Sequence, residues 1–207
     1  MIGVKVCGIT DPAALGAAAA AGADWVGFVF FPPSPRALTP AQAASLSATH
    51  PGGPRRVGLF VDPTEADIAA ALAALPLDVL QINGRPGLAA AMQARFGVPA
   101  WAAIGVSGRA DLPTHAPGIA GLLLDAKPPA GSPLPGGNAH SFDWSNLHGW
   151  AAPVPWMLAG GLTPANVASA VRLTGAPAVD VSSGVEASRG VKDPALIRAF
   201  IAAARAA

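Results

Sequence analysis

At 207 residues, 52% of them hydrophobic and 12% charged, the chain is long enough for one domain with a substantial core and too apolar to be disordered. A net charge of +1 leaves no electrostatic footprint for nucleic acid or for an anionic membrane surface. Apolar stretches are broken by Gly, Pro or a charge well short of a bilayer span, and residues 2–6 lack the pattern of a signal peptide, so a cytoplasmic location is expected.

In chain order, residues 4–6 read as a strand. A helix follows over 12–21, capped by Thr10 or Asp11 and stopped by Gly22. Strand and helix then alternate: 25–30 and 40–46 (cap Thr39), 57–61 and 65–75 (cap near Thr64), 79–82 and 88–96. The fifth strand, 100–104, precedes a segment rich in Gly, Pro and His, so its helix is weak or missing. Strand 121–124 leads to a Pro- and Gly-rich stretch over 127–141 that reads as a mobile loop, and 144–147 is at most a short helix. Strand 155–158 precedes a helix over 164–173, with Thr163 as cap and Pro164 in its first turn, and strand 178–181 precedes a closing helix over 194–206.

Eight apolar strands, each followed by a helix or helix-sized segment, predict a single (β/α)8 TIM barrel over residues 1–207, with a unit of about 25 residues. A doubly wound open sheet is the alternative that the same pattern allows.

In such a barrel the active site forms at the C-terminal ends of the strands. The polar residues after each apolar run are Cys7, Ser34-Pro35-Arg36, Asp62, Asn83, Asp125, Gly160-Gly161 and Ser182-Ser183-Gly184. The last two groups suit a phosphate, because small residues let backbone N–H groups approach an oxyanion and the loops after strands seven and eight are the usual phosphate site of this fold. Taken singly, each is equally a tight βα turn. Arg36 sits in a Pro-stiffened loop, either as a surface residue or as a clamp for a carboxylate. Asp125 ends an apolar run, which raises a carboxyl pKa toward neutrality; otherwise it caps a helix or pairs with Lys127. Cys7 is the only cysteine, so no intrachain disulfide or Cys cluster for zinc exists, and by itself it reads as a small buried hydrophobe.

The motifs "VKVCGIT" (4–10), "GFVFFPPSPR" (27–36), "VGLFVD" (57–62), "LQING" (80–84), "LLLDA" (122–126), "FDW" (142–144), "LAGGLTPANV" (158–167), "VDVSSGVE" (179–186) and "GVKD" (190–193) together resemble phosphoribosylanthranilate isomerase. The resemblance implies a (β/α)8 barrel that performs an Amadori rearrangement in tryptophan biosynthesis. N-(5-phosphoribosyl)anthranilate becomes 1-(2-carboxyphenylamino)-1-deoxyribulose 5-phosphate by general acid–base catalysis. It implies Cys7 as general base, Asp125 as general acid, Arg36 on the anthranilate part, and the Gly160-Gly161 and Ser182-Ser183-Gly184 turns on the phosphate. The electron sink is the substrate's own iminium, so no cofactor and no metal are expected. The expected partner is a phosphorylated small molecule, with no nucleic acid or membrane; the oligomeric state, monomer or homodimer, is left open. Strand alternation keeps Lys5 on the face of Cys7, where an ammonium stabilises a thiolate.

Two departures stand out. Asn83 occupies a position where the family commonly has His; it can still hydrogen-bond substrate but does not titrate. Ala139, in the 136–141 loop, replaces a Gly of the usual pattern and restricts positive φ. A related phosphosugar barrel is the rival enzyme reading. Barrels acting on the histidine-pathway aminoaldose use Asp where this chain has Cys7, and metal-dependent epimerases need ligands at strand ends, whereas His50, His115, His140 and His148 follow no predicted strand. A non-catalytic phosphate-binding barrel is the third reading, opposed by the presence of both Cys7 and Asp125.

Overall fold

The computed structural model describes residues 1–127 and 141–207. Eight parallel strands follow one another in sequence order: β1 (Gly3–Cys7), β2 (Trp25–Val29), β3 (Arg55–Val61), β4 (Val79–Asn83), β5 (Ala100–Val106), β6 (Gly121–Ala126), β7 (Trp156–Leu158) and β8 (Ala178–Val181). β8 pairs back onto β1, with Asp180 beside Lys5, and the sheet closes as a barrel. The open-sheet alternative is thereby excluded. Among the described residues six α-helices cover the outside: α1 (Pro12–Ala20), α2 (Pro40–Ala48), α3 (Glu65–Ala74), α4 (Leu88–Phe96), α5 (Val167–Thr174) and α6 (Pro194–Arg205). None of them is long and apolar enough to cross a membrane.

Local chemistry sets most helix starts. Asp11, not Thr10, caps α1 by accepting from the Ala14 N–H at 2.9 Å. Thr39 and Thr64 each form a reciprocal capping box, with Gln42 and Asp67, and Asp193 caps α6. The α5 expectation needs correction. Residues 164–166 form a turn and the helix begins only at Val167, because Asn166 accepts from the Thr163 N–H and donates to the Gly161 carbonyl, which ties the segment into a loop. After β5 and β6, among the described residues, only 3-10 turns, Arg109–Asp111 and Trp144–Leu147, stand where helices would be. Beyond β8, a 3-10 turn (Ser183–Val185) and a small hairpin of β9 (Glu186–Ser188) and β10 (Val191–Lys192), which sequence reasoning did not anticipate, intervene before α6. The loop reading over 127–141 and the Ala139 departure concern residues 128–140, outside the described residues.

Strand alternation divides the core in two. Val4, Val6, Val26, Phe28, Leu80, Ile82, Leu122, Leu124, Leu158, Val179 and Val181 point outward and pack under the helices. Leu123, Met157, Ala159 and Ala178, with Trp25, Trp101 and Ala103, fill the barrel axis. This double burial explains why the strands are continuous apolar runs. Phe28, Phe60 and Phe200 are fully buried, and a side chain of that size contributes about 1.5–3 kcal/mol relative to exposure. Trp25 and Trp101 meet edge to face at 5.4 Å, and Arg55 lies over Trp25 at 4.4 Å. The lower axis is thus filled with rings. The same inward parity places Lys5 and Cys7 on β1, Gln81 and Asn83 on β4, Asp125 on β6 and Asp180 on β8 along the axis toward the C-terminal mouth.

Candidate active site

Cys7 is the last residue of β1, a free thiol only 4% exposed. Opposite it on β2 stands Gly27, where a Cβ would meet the Cys7 Sγ at 2.8 Å, so the glycine makes room for the sulfur. Two residues below, Lys5 is fully buried and donates from Nζ to the Asp180 Oδ1 at 2.8 Å. Burial works against the Lys5 charge, yet Asp180 and Cys7 hold its pKa above the ordinary 10.5. Burial pushes the Cys7 thiol above its ordinary 9.0, while Lys5 and Lys192 pull it back. Two ammonium groups thus favour the ionised sulfur.

Asp125 is the penultimate residue of β6, and its Oδ1 accepts from the Ala126 N–H at 2.8 Å. Its pKa is pushed up to about 7, chiefly by burial and next by the Asp180 charge, against opposing pulls from the Ala126 N–H and Lys5. It is therefore a carboxylic acid able to give up a proton near neutral pH. Asp180 thereby touches the chemistry twice, through Lys5 and through Asp125. Sequence reasoning missed it, although a lone carboxylate inside the β8 run was a visible signal.

Arg36 lies where the loop after β2 folds over the mouth and is only 5% exposed. Its guanidinium already has a partner: Nε and Nη2 donate to the two carboxylate oxygens of Glu186 at 2.6 and 2.9 Å. Glu186 also accepts from Lys192 Nζ at 2.8 Å and from the Gly190 N–H at 3.0 Å. Lys192 in turn donates to the carbonyl and the hydroxyl of Ser182, at 2.8 and 3.2 Å. Burial opposes the Glu186 charge, but Arg36 and Lys192 hold its pKa down at about 2. This buried triad counts two cations and one anion, so one positive charge is left to attract an anion at the mouth. Glu186 and Lys192 were missed as well, because they come from the unforeseen hairpin.

The two turns at the mouth lie together. Gly160 and Gly161 both have positive φ, 86° and 63°. A Cβ at Gly160 would stand 2.7 Å from the Ala126 nitrogen and 3.0 Å from the Asp125 Oδ1, so only glycine fits there. Gly184 packs so closely on the Leu162 carbonyl that a side chain there would collide with it. The turn after β7 thus rests on the turn after β8. The N–H groups of Gly160 and Gly161 donate to no acceptor among the described residues. Those of Ser183 and Gly184 open a 3-10 turn, which leaves its first N–H groups free. Neither turn leads directly into an α-helix, so the donors come from the turns themselves.

Asn83, at the end of β4, carries a buried Oδ1 with no hydrogen-bond partner among the described residues. Asp62 instead does local work: at φ 42° its carboxylate accepts from the Arg85 N–H and holds the loop after β4. Among the described residues no group of three or more His, Cys, Asp or Glu side chains is arranged to hold a metal ion.

Residues 4–203 match the family model described as N-(5'phosphoribosyl)anthranilate (PRA) isomerase. The N-(5'-phosphoribosyl)anthranilate isomerase of Paramagnetospirillum magneticum is 55% identical over 207 residues, covering 98% of this chain and 96% of its own. TrpF from Jonesia denitrificans superposes with a TM-score of 0.84 at 41% identity, over 99% of this chain and 97% of that one. A phosphoribosyl anthranilate isomerase solved in complex with reduced 1-(o-carboxyphenylamino)-1-deoxyribulose 5-phosphate gives a TM-score of 0.84 at 33% identity, with both chains fully covered.

Proposed function

The chain belongs to the N-(5'-phosphoribosyl)anthranilate isomerase family, and from that premise we propose how its own residues carry out the rearrangement. The enzyme converts N-(5-phosphoribosyl)anthranilate to 1-(2-carboxyphenylamino)-1-deoxyribulose 5-phosphate in tryptophan biosynthesis. What supports the assignment of roles is that Asp125, pushed up to about 7, and the buried Cys7, whose ionised form Lys5 and Lys192 favour, both stand on the inward face at the C-terminal ends of their strands.

Asp125 donates its proton to the furanose ring oxygen as the bond from that oxygen to C1 breaks. The anthranilate nitrogen supplies the electron pair and becomes an iminium. This cation joins Lys5 and Lys192 in favouring the thiolate, so the base strengthens when it is needed. The Cys7 thiolate takes the proton from C2, and the C–H electrons flow to the iminium and neutralise it. The enolamine then takes up a proton at C1 and releases one from O2, and return of the thiol's proton to Asp125 resets the pair.

Arg36, with Glu186 fixing one edge of its guanidinium, offers its remaining N–H donors and the net charge of the triad to the anthranilate carboxylate. Gly160, Gly161, Ser182, Ser183 and Gly184 take the phosphate through backbone N–H groups. Asn83 hydrogen-bonds the substrate without titrating. The phosphorylated small molecule is the only partner this chemistry requires, handled within one barrel domain over residues 1–207. Loss of phosphoribosylanthranilate fluorescence on addition of the protein tests the activity; an unchanged signal would refute it.

A further inference from the structure

Gln81 is a buried polar side chain that none of the steps above uses. It lies on β4 two residues below Asn83, on the same inward face, and is only 2% exposed. Its Oε1 has no hydrogen-bond partner among the described residues. A carboxamide inside a barrel axis is costly unless paired, and an apolar side chain of similar shape would fill the position without that cost. The neighbours sharpen the contrast: its outward flanks Leu80 and Ile82 are ordinary core residues.

The registers place Gln81 at a particular depth. β4 pairs with Leu59 on β3 and Trp101 on β5 at this position, and β1 pairs with β2 at Cys7 and Gly27. In an eight-stranded barrel the inward side chains of alternate strands share a layer. Stepping two residues up for each pair of strands brings Gly27, Gln81, Leu123 and Asp180 to one level, immediately under Cys7. Gly27 contributes no side chain and Leu123 no polar atom. Asp180 is engaged with Lys5. The Gln81 Oε1 is therefore the unpartnered acceptor of this layer among the described residues, with Asn83 and its own unpartnered Oδ1 two residues above it on the same face.

We propose that the Gln81 carboxamide is a substrate-binding residue that accepts a hydrogen bond from a sugar hydroxyl beside the carbon Cys7 deprotonates, Asn83 accepting from the next one up the strand. This rests on the proposed site. A ring-opened sugar presents a row of hydroxyl donors, and residues i and i+2 of a strand present a row of acceptors at about 6.6 Å spacing on one face. Two orphaned acceptors in line match a polyol; they do not match a phosphate or a carboxylate, which bring acceptors of their own. The contact fixes the torsion about C2, and with it the angle at which the C2 proton meets the sulfur.

The test uses Gln81→Met, which keeps length and flexibility and removes the amide, beside Gln81→Glu, which keeps an acceptor. The probes are reduced 1-(o-carboxyphenylamino)-1-deoxyribulose 5-phosphate, an open-chain polyol, and inorganic phosphate. For Gln81→Met the dissociation constant of the polyol should rise roughly tenfold or more, the worth of one buried hydrogen bond. Inhibition by inorganic phosphate should be unchanged, and the melting temperature of the unliganded protein equal to or above that of the parent. Gln81→Glu should recover part of the polyol affinity. Wild-type polyol affinity in Gln81→Met, or a loss shared equally by polyol and phosphate together with a lower melting temperature, would overturn the proposal. Cys7→Ser is the control for the underlying reading: full turnover there would remove Cys7 as base while leaving the Gln81 binding result to stand or fall by itself.

Discussion

Asp180 stands directly beside Lys5 in the β1–β8 pairing and holds its ammonium at 2.8 Å, although the two are 175 residues apart in sequence. The pair sits beneath both groups proposed to move protons: Lys5 adjoins the Cys7 thiol, and the Asp180 charge raises the Asp125 pKa. Removing that charge with Asp180→Asn should let the Asp125 pKa fall below about 7. The bend on the acid side of the kcat/KM profile would then move to lower pH. An unmoved bend would mean that burial alone sets Asp125.

The acid and base are poised in reverse order, Asp125 near 7 and Cys7 above 9.0. The productive form, acid protonated and base ionised, is then a constant minor fraction between the two values. The profile of kcat/KM should rise to about pH 7, run flat, and fall only above 9.0. In Asp125→Asn the bend at 7 should vanish, so that residual activity climbs with thiolate until the Cys7 value is reached. Turnover should drop about 10²–10⁴-fold. A loss of affinity with turnover kept would make Asp125 a binding residue.

Asp125 also makes a stability prediction of definite sign. Its folded pKa of about 7 lies above the ordinary 3.8, so the folded state holds the proton more tightly and stability is lost as pH rises from about 4 to 7. Asp125→Asn escapes this penalty. It should be more stable than the parent at pH 8 by up to about 4 kcal/mol, read as a higher melting temperature, and show little difference at pH 4. Equal melting temperatures at pH 8 would contradict the raised pKa.

Glu186 behaves oppositely. Its folded pKa of about 2 lies below the ordinary 4.5, so its contribution is present above 4.5 and lost as pH falls toward 2. The window corresponds to about 3 kcal/mol. Glu186→Gln should be less stable than the parent at pH 7, leaving Arg36 and Lys192 without their anion, and should lose less stability on acidification. Denaturant midpoints at pH 7, 4.5 and 2.5 check both halves.

The barrel was legible because parallel strands buried on both faces leave eight apolar runs, and because Thr39 and Thr64 mark helix starts plainly. Cys7, Asp125, Asn83 and the two small-residue turns were legible because they fall at the ends of those runs. The charge network was not. Lys5–Asp180 and Arg36–Glu186 join residues 175 and 150 positions apart, and nothing local in the chain announces such a pairing. Arg36 looked free for a carboxylate when half of its fork is taken by Glu186. Gln81 was hidden differently, as one polar residue in an apolar strand whose inward direction only the registers reveal.

The phosphate assignment can be tested by charge. Ser183→Asp places a carboxylate at the opening of the turn after β8 without disturbing the packed glycines, one of which lies against Leu162. Repulsion of a dianion should raise KM more than tenfold and abolish competition by inorganic phosphate. Undiminished phosphate competition would place the anion elsewhere.

The central claim, that Cys7 is the base acting with Asp125 as acid, is tested most directly by following phosphoribosylanthranilate fluorescence in Cys7→Ser beside the parent enzyme, with affinity for the reduced product analogue measured in parallel. A hydroxyl is a far poorer base near neutral pH, so turnover should fall at least about a hundredfold while analogue affinity and melting temperature stay close to the parent's. Near-parental turnover in Cys7→Ser would contradict the account.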